Sequence, residues 1–202
     1  MISVAWCSQW GLDGSRLFFV IITTISSFAK ADIHFGGDIG LIQDQKSITS
    51  RDLIQTTFYD AYLYLQASRN YPFYLGFEYI YISTTQPNTV ATTTATLTSS
   101  NAMAGLKYVF GKRELFSISL LGSPFIQANY QVTGSASDLW SGSAFASKLS
   151  IHPELSSSLK LCVSLVYYSA TYTSKSDSSG STTVSSFSRS LLIPTFGLQF
   201  NF

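Results

Sequence analysis

Apolar and polar residues alternate with a period of two through most of the chain after residue 32. One face of each alternating segment is aliphatic or aromatic, and the other holds Ser, Gly, Tyr and a few charged residues. Because successive side chains of a β-strand point to opposite sides of a sheet, this pattern predicts strands rather than helices. Eight such segments are present, at residues 33–42, 56–67, 74–85, 99–110, 115–130, 143–152, 158–172 and 185–202.

The connections between these segments alternate between long and short. The long ones (43–55, 86–98, 131–142 and 173–184) are polar and mostly rich in Ser and Thr, and the short ones (68–73, 111–114 and 153–157) carry turn residues. Bacterial transmembrane barrels have an even number of strands, short periplasmic turns and longer outer loops. The sequence therefore predicts an all-β fold, an eight-stranded antiparallel up-and-down transmembrane barrel with its long loops outside.

Four charged residues lie on the polar faces of the strands: Asp60, Glu78, Lys107 and Lys160. A Lys that faced lipid at the midplane would cost about 2–4 kcal/mol. We therefore expect all four inside the barrel, as a charge network in a lumen that side chains fill. The alternative is a soluble exported sandwich or lipocalin-like barrel with its apolar face inward. A charged fraction of 11%, against roughly 25% in soluble domains, favours the membrane barrel.

Residues 1–31 have the parts of a secretory signal peptide. Arg16 precedes an apolar run at 17–28, and Ala29-Lys30-Ala31 supplies a small-x-small cleavage site. A bilayer span needs about 20 apolar residues, so the run is too short to cross one, and the alternative is a buried core helix. We predict cleavage after residue 31, which leaves residues 32–202 as the barrel domain.

Aromatic residues gather near the ends of the predicted strands. Rings prefer the headgroup level of a membrane, so we expect two interfacial girdles. The first group lies near the short connections and the second near the long ones: Tyr71, Phe73, Tyr108, Phe110, Phe116, Phe200 and Phe202, then Tyr81, Tyr130, Trp140, Phe145, Tyr167 and Tyr172.

The last strand ends in a specific pattern, TFGLQFNF. It resembles the assembly signal of bacterial outer-membrane barrels, whose four specified positions are filled here by Thr195, Gly197, Phe200 and Phe202. By architecture the chain is similar to small eight-stranded barrels of the OmpX, OmpW and OmpA membrane-domain type. The resemblance implies a place in the bacterial cell outer membrane, insertion by the barrel assembly machinery, and contact with outer-membrane lipid and lipopolysaccharide.

The sequence offers no catalytic or cofactor constellation. His34 and Asp38 lie four residues apart on the inner face of the first strand, and we predict that they form a hydrogen-bonded pair in the lumen. His152 is predicted to lie in a turn. Outer-membrane enzymes of this barrel size carry their catalytic His near the outer leaflet, whereas both His here map to the periplasmic end. Two His and one Cys after residue 31 argue against a three-ligand metal site. A formal charge of +1 gives no basic surface for nucleic acid.

We therefore expect a protein without enzyme activity or cofactor, in a structural or surface-interaction role through its extracellular loops. Two alternatives stay open. One is a narrow channel for small or hydrophobic solutes, which the resemblance to OmpW-type barrels implies. The other is an outer-leaflet lipid-modifying enzyme. No sequence motif in the loops identifies an extracellular partner.

Overall fold

Eight antiparallel strands form a closed barrel in the computed structural model, which describes residues 32–45, 53–68, 71–88, 93–177 and 180–202. The fold class predicted from the alternation is confirmed. No helix in these described ranges is long and apolar enough to cross a membrane. The signal peptide and its cleavage point fall on residues 1–31, outside the described residues, and stay predictions. The strands are β1 (Ile33–Gln45), β2 (Leu53–Ser68), β3 (Tyr71–Asn88), β4 (Thr93–Phe110), β5 (Phe116–Val132), β6 (Asp138–Ile151), β7 (Leu159–Ser176) and β8 (Thr182–Asn201).

The first and last strands close the ring. β1 pairs with β8 from His34 opposite Asn201 to Gly40 opposite Thr195. The backbone N–H of Ile33 donates to the carbonyl of Phe202 at 3.0 Å, and the reverse bond has the same length. We call this edge of the barrel the termini end; the connections 111–115 and 152–158 lie there, as do the end of β2 and the start of β3. The connection 133–137 lies at the opposite, loop end, where β1, β3 and β7 also end and β2, β4 and β8 begin.

The strands run further toward the loop end than the sequence predicts. β3 continues to Asn88 and β4 starts at Thr93, so most of the predicted loop 86–98 is paired strand. The expected alternation of long and short loops is therefore wrong. The physical reason is composition. β-branched Thr favours an extended backbone, so the two strands of the hairpin continue to pair through the Thr-rich segment. The polar segments predicted as long loops are in large part the tips of long strands.

The side chains alternate across the wall as predicted. Leu75, Leu106, Leu120, Leu165 and Phe196 point outward and are 43–53% exposed. We call the outward apolar side chains of the termini half the apolar belt; along β8 and the residue after it, the belt runs from Leu192 to Phe202. Such a surface suits lipid and would be costly against water. Charged residues occupy the inner face at the same level, so the soluble barrel with an apolar interior does not describe this half.

The outward side chains become mostly polar in the loop half of the barrel, where Phe125, Leu139 and Val184 are the large apolar exceptions. On β8 the outward positions after Leu192 are Ser190, Ser188 and Ser186, and β7 changes in the same way. Ser169 and Ser190 lie 3.2 Å apart on this outer surface, hydroxyl to hydroxyl. A membrane strand needs about 9–11 residues, whereas β8 has 20. The loop half, which we call the projecting half, therefore extends beyond the belt.

Candidate functional site

Lys148 is the centre of a charged cluster inside the barrel. Its Nζ lies 2.5 Å from Asp38 Oδ2 and 2.7 Å from Asp60 Oδ2, and all three residues are at most 7% exposed. The two aspartates face each other across the β1–β2 pair, and the Asp38 N–H donates to Asp60 Oδ1 at 2.8 Å. Two like charges this close need a shared cation, which β6 supplies from across the lumen.

Of the four charges predicted to face inward, Asp60 belongs to this cluster and Lys107 and Glu78 lie beside it. Lys107 Nζ donates to Gln199 Oε1 at 2.6 Å, and its ammonium lies 5.4 Å from the centre of the Tyr64 ring. The Tyr64 hydroxyl donates to Glu78 Oε1 at 2.7 Å. Lys107 and Glu78 are therefore held by polar and aromatic neighbours.

Lys160, the fourth predicted charge, lies nearer the termini end. Its Nζ donates to Glu114 Oε2 at 3.0 Å and to the carbonyl of Arg113 at 3.1 Å. The structure thus places all four predicted charges inside the barrel. In the described part of the chain, their ion pairs run through Lys148 and Glu114 rather than among the four themselves.

Sequence reasoning missed Lys148 and Glu114 as members of the lumen network. Lys148 carried a usable signal, because it sits on the inner face of its strand between Ala146 and Ser150. Glu114 carried none, since it lies in the turn Lys112–Glu114 and reaches the lumen only through the fold. No residue-level pattern says which acid meets which base across a barrel.

The expected hydrogen bond between His34 and Asp38 is not formed. The His34 ring stacks on Tyr74 with centroids 4.2 Å apart, and its Nε2 lies 3.6 Å from Glu114 Oε2. Asp38 is instead taken by Lys148. The physical reason is charge: a buried carboxylate gains more from an ammonium than from a neutral imidazole.

A chain of hydrogen bonds lies inside the termini end. Ser117 Oγ lies 2.7 Å from His152 Nε2, His152 Nδ1 lies 3.0 Å from Cys162 Sγ, and that sulfur lies 3.2 Å from the Tyr62 hydroxyl. Burial, reinforced by nearby lysines, lowers the pKa of His152 to about 2. A Ser beside a His is the spacing of a nucleophile and its base. Here Ser117 is fully buried and both ring nitrogens are engaged, so the chain acts as packing.

The four residues of the terminal signal divide between the two faces of β8. Phe200 and Phe202 point outward at the termini end, where Phe202 is 71% exposed, and Thr195 is buried in the lumen. A Cβ on Gly197 would collide with the carbonyl of Gly37 and with the Asp38 carboxylate. A glycine at this position is therefore needed for packing, apart from any part in the assembly signal, because it leaves room for Asp38 to reach Lys148.

Three of the aromatics predicted for the outer girdle point into the barrel instead. Tyr130 and Trp140 line a cavity at the loop end, and buried Tyr172 stacks on Phe187 with centroids 4.6 Å apart. The prediction was wrong for these three because it used their place along the strands and not their face. The others of that group, Tyr81, Phe145 and Tyr167, lie on the outer face, as do all seven rings of the group at the termini end.

The comparisons with known proteins bear on the fold. No protein-family model and no curated protein matches the sequence. The solved structure of Neisserial surface protein A, NspA, has a TM-score of 0.51 at 11% identity and covers 84% of this chain and 97% of its own. The chain has the fold of an outer-membrane β-barrel.

Two further solved structures match at lower TM-scores. Ail of Yersinia pestis, solved with the heparin analogue sucrose octasulfate, has a TM-score of 0.46 at 10% identity and covers 85% of this chain and 97% of its own. The Escherichia coli outer-membrane protease OmpT has a TM-score of 0.44 at 9% identity and covers 85% and 96%.

We expect Lys148→Met to destabilise the barrel strongly. It leaves two adjacent carboxylates buried without their cation, which costs about 3–5 kcal/mol. Urea unfolding in lipid vesicles, followed by circular dichroism, measures the loss in the free energy of unfolding. Combining it with Asp38→Asn and Asp60→Asn removes the stranded charges and is expected to restore most of the stability.

Lys175→Met is the matched control. Lys175 pairs with Asp138 at 2.9 Å, but this pair is partly exposed, with side chains 34% and 23% accessible. Its loss should cost less than about 1 kcal/mol. Equal losses for the two single variants would show that Lys148 does not stabilise the interior through its buried ion pairs.

Proposed function

We propose that this protein is a non-conducting integral protein of the bacterial outer membrane. Its role is structural or one of surface interaction, through the projecting half and the connections at its loop end. The observation that carries the proposal is the wall itself, a closed barrel with an apolar belt outside and a filled, charged interior. Such a barrel is held by lipid and leaves only its ends free to act.

Several features support the place in the outer membrane. The ring leaves no strand edge in lipid, and aromatics collect on the outer face at the termini end. The terminal strand also resembles the signal read by the barrel assembly machinery, with Phe202 at its end. Contact with outer-membrane lipid and lipopolysaccharide follows from the same placement, since the belt meets lipid and the projecting half lies at the level of the outer leaflet surface.

The interior argues against a channel. The Lys148 cluster occupies the lumen at the level of the belt, and an apolar layer lies above it toward the loop end. That layer comprises Phe58, Ile80, Ile82, Val166 and Ile193, each at most 1% exposed. Water and solutes would have to pass both layers, and the packed side chains leave them no open path.

The positions of the histidines argue against a lipid-modifying enzyme. The chain has two, His34 and His152, and both are buried at the termini end. A lipid in the outer leaflet would meet the other end of the barrel. A general base there would have to be a different residue type, so we propose no catalytic role.

Single-channel recording tests the closed lumen. We expect refolded protein in planar bilayers to show no discrete openings, because both lumen layers are packed with side chains. A porin in the same bilayers shows that openings are detectable. Phe58→Ala combined with Ile80→Ala and Ile193→Ala thins the apolar layer and serves as a variant with a wider lumen. Openings from the wild-type protein would favour the channel alternative over this proposal.

Phe202→Ala tests the role proposed for the terminal strand. The ring contributes at most about 1.5–3 kcal/mol of burial, which is small beside a whole barrel. We therefore expect near-normal refolding in detergent but strongly reduced outer-membrane levels in cells, with the protein degraded in the periplasm. Quantitative blotting of membrane fractions measures the level.

Phe77→Ala is the matched control, since Phe77 is also an outward ring in the belt and is 67% exposed against 71% for Phe202. We expect its outer-membrane level to stay near that of the wild type. If Phe202→Ala and Phe77→Ala reach the membrane equally well, the terminal ring is not read during assembly.

A further inference from the structure

A cavity of about 490 Å³ opens inside the projecting half. It lies beyond the apolar layer that closes the lumen, and residues of seven strands contribute to it. Its walls are mostly apolar and its polar groups few. The side chains that the argument uses are Ile42, Leu97, Trp140, Phe187, Leu191 and Arg189.

The apolar wall of this cavity is unexpected at its level. Outside, the barrel wall at this level carries mostly Ser and Thr, although Phe125 and Leu139 are exposed there too. Inside, Ile42, Leu97 and Leu191 are only partly buried against the core. Apolar area left in contact with water forgoes about 25 cal/mol for every Å². An eight-stranded barrel with this distribution has the design of a small ligand container, apolar within and polar without.

One cation lies within this apolar wall. The guanidinium of Arg189 reaches from β8 to the hydroxyls of Thr84 on β3 and Thr56 on β2, and donates a hydrogen bond to each. Those partners are neutral. Among the side chains that the structure describes, no carboxylate lies within ion-pairing distance of Arg189. The ion pair of this region, between Lys175 and Asp138, is a separate one.

A guanidinium with neutral partners in an apolar cavity is complementary to an anion that brings its own apolar body. The planar fork of Arg binds a carboxylate through two parallel hydrogen bonds. The cavity volume lies in the lower part of the range for small-molecule sites, roughly 300–1,000 Å³. That size suits one acyl chain.

We infer that the projecting half binds one long-chain carboxylate. Its carboxylate pairs with Arg189, and its acyl chain packs against Ile42, Leu97, Trp140 and Phe187. The inference goes beyond the proposed function, because a closed barrel could act at the surface without any small ligand. It gives the projecting half a stated ligand class, a fatty acid taken up from the outer side.

The fluorescence of Trp140 reports binding at this site directly. The chain has three tryptophans, and the other two are Trp6 and Trp10. Full-length protein with Trp6→Phe and Trp10→Phe therefore reports only from the cavity wall. In nanodiscs of saturated phosphatidylcholine, dibrominated stearate is expected to quench this fluorescence in a saturable way. Arg189→Gln should weaken the binding about tenfold or more, since a hydrogen bond to a charged group is lost.

Two controls distinguish binding in the cavity from partitioning of the acid into the bilayer and from general attraction to a positive charge on the protein. Nanodiscs made with dibrominated phosphatidylcholine place the quencher in the lipid alone and should quench weakly. Arg113→Gln removes an exposed cation at the termini end and should leave the affinity unchanged. The methyl ester of the brominated acid tests the carboxylate without any mutation and should bind about tenfold more weakly or worse than the acid.

Several results would overturn the inference. Quenching that does not saturate, or that brominated phospholipid reproduces, would mean that the bilayer holds the acid. If the wild type and Arg189→Gln bind the acid with equal affinity, Arg189 does not bind the carboxylate. Both proteins should first show the same heat-modifiable migration on detergent gels, as evidence that both barrels are folded. Equal binding of acid and ester would also show that Arg189 does not bind the carboxylate, even if Arg189→Gln failed to fold.

Discussion

Backbone pairing around a complete ring is the constraint on which the rest of this structure depends. Within lipid, each unpaired N–H or C=O would cost several kcal/mol, so the eighth strand has to return to the first. The β1–β8 pairing meets that demand. Once the ring is closed, alternate side chains must enter a lumen that has room for little else. Charges in that lumen must find partners there, and Lys148 between Asp38 and Asp60 is the result.

A second consequence concerns the two halves of the wall. At the belt the outer face is apolar and the inner face carries the buried charges, whereas in the projecting half the outer face is mostly polar and the cavity inside is mostly apolar. Leu165 and Thr171 lie on the same face of β7 and show the change within a few residues. The belt anchors the barrel, and the projecting half can carry a surface and a cavity, because the solvent outside it is water.

Much of this fold could be predicted from local pattern. Alternation depends only on the geometry of a strand, so the eight strands and the inward place of Asp60, Glu78, Lys107 and Lys160 followed from it. Partners across the lumen could not be predicted, because Lys148 and Asp38 are far apart in sequence and meet only through the curvature of the ring. The prediction of where the strands end was wrong for a different reason, since a Thr-rich segment is compatible with a polar loop and with a polar strand equally well.

The outward orientation of the apolar belt around a packed interior is the central claim, and contacts between side-chain methyls and lipid test it most directly. Nuclear Overhauser effects can be recorded between acyl methylenes and labelled methyl groups in lipid nanodiscs. Strong effects are expected at Leu75, Leu106, Leu120 and Leu165, which face out of the belt. None is expected at Ile80, Ile82, Val166 or Ile193, which are equally apolar but point inward. Effects of equal strength in both groups would contradict the arrangement of the wall described above.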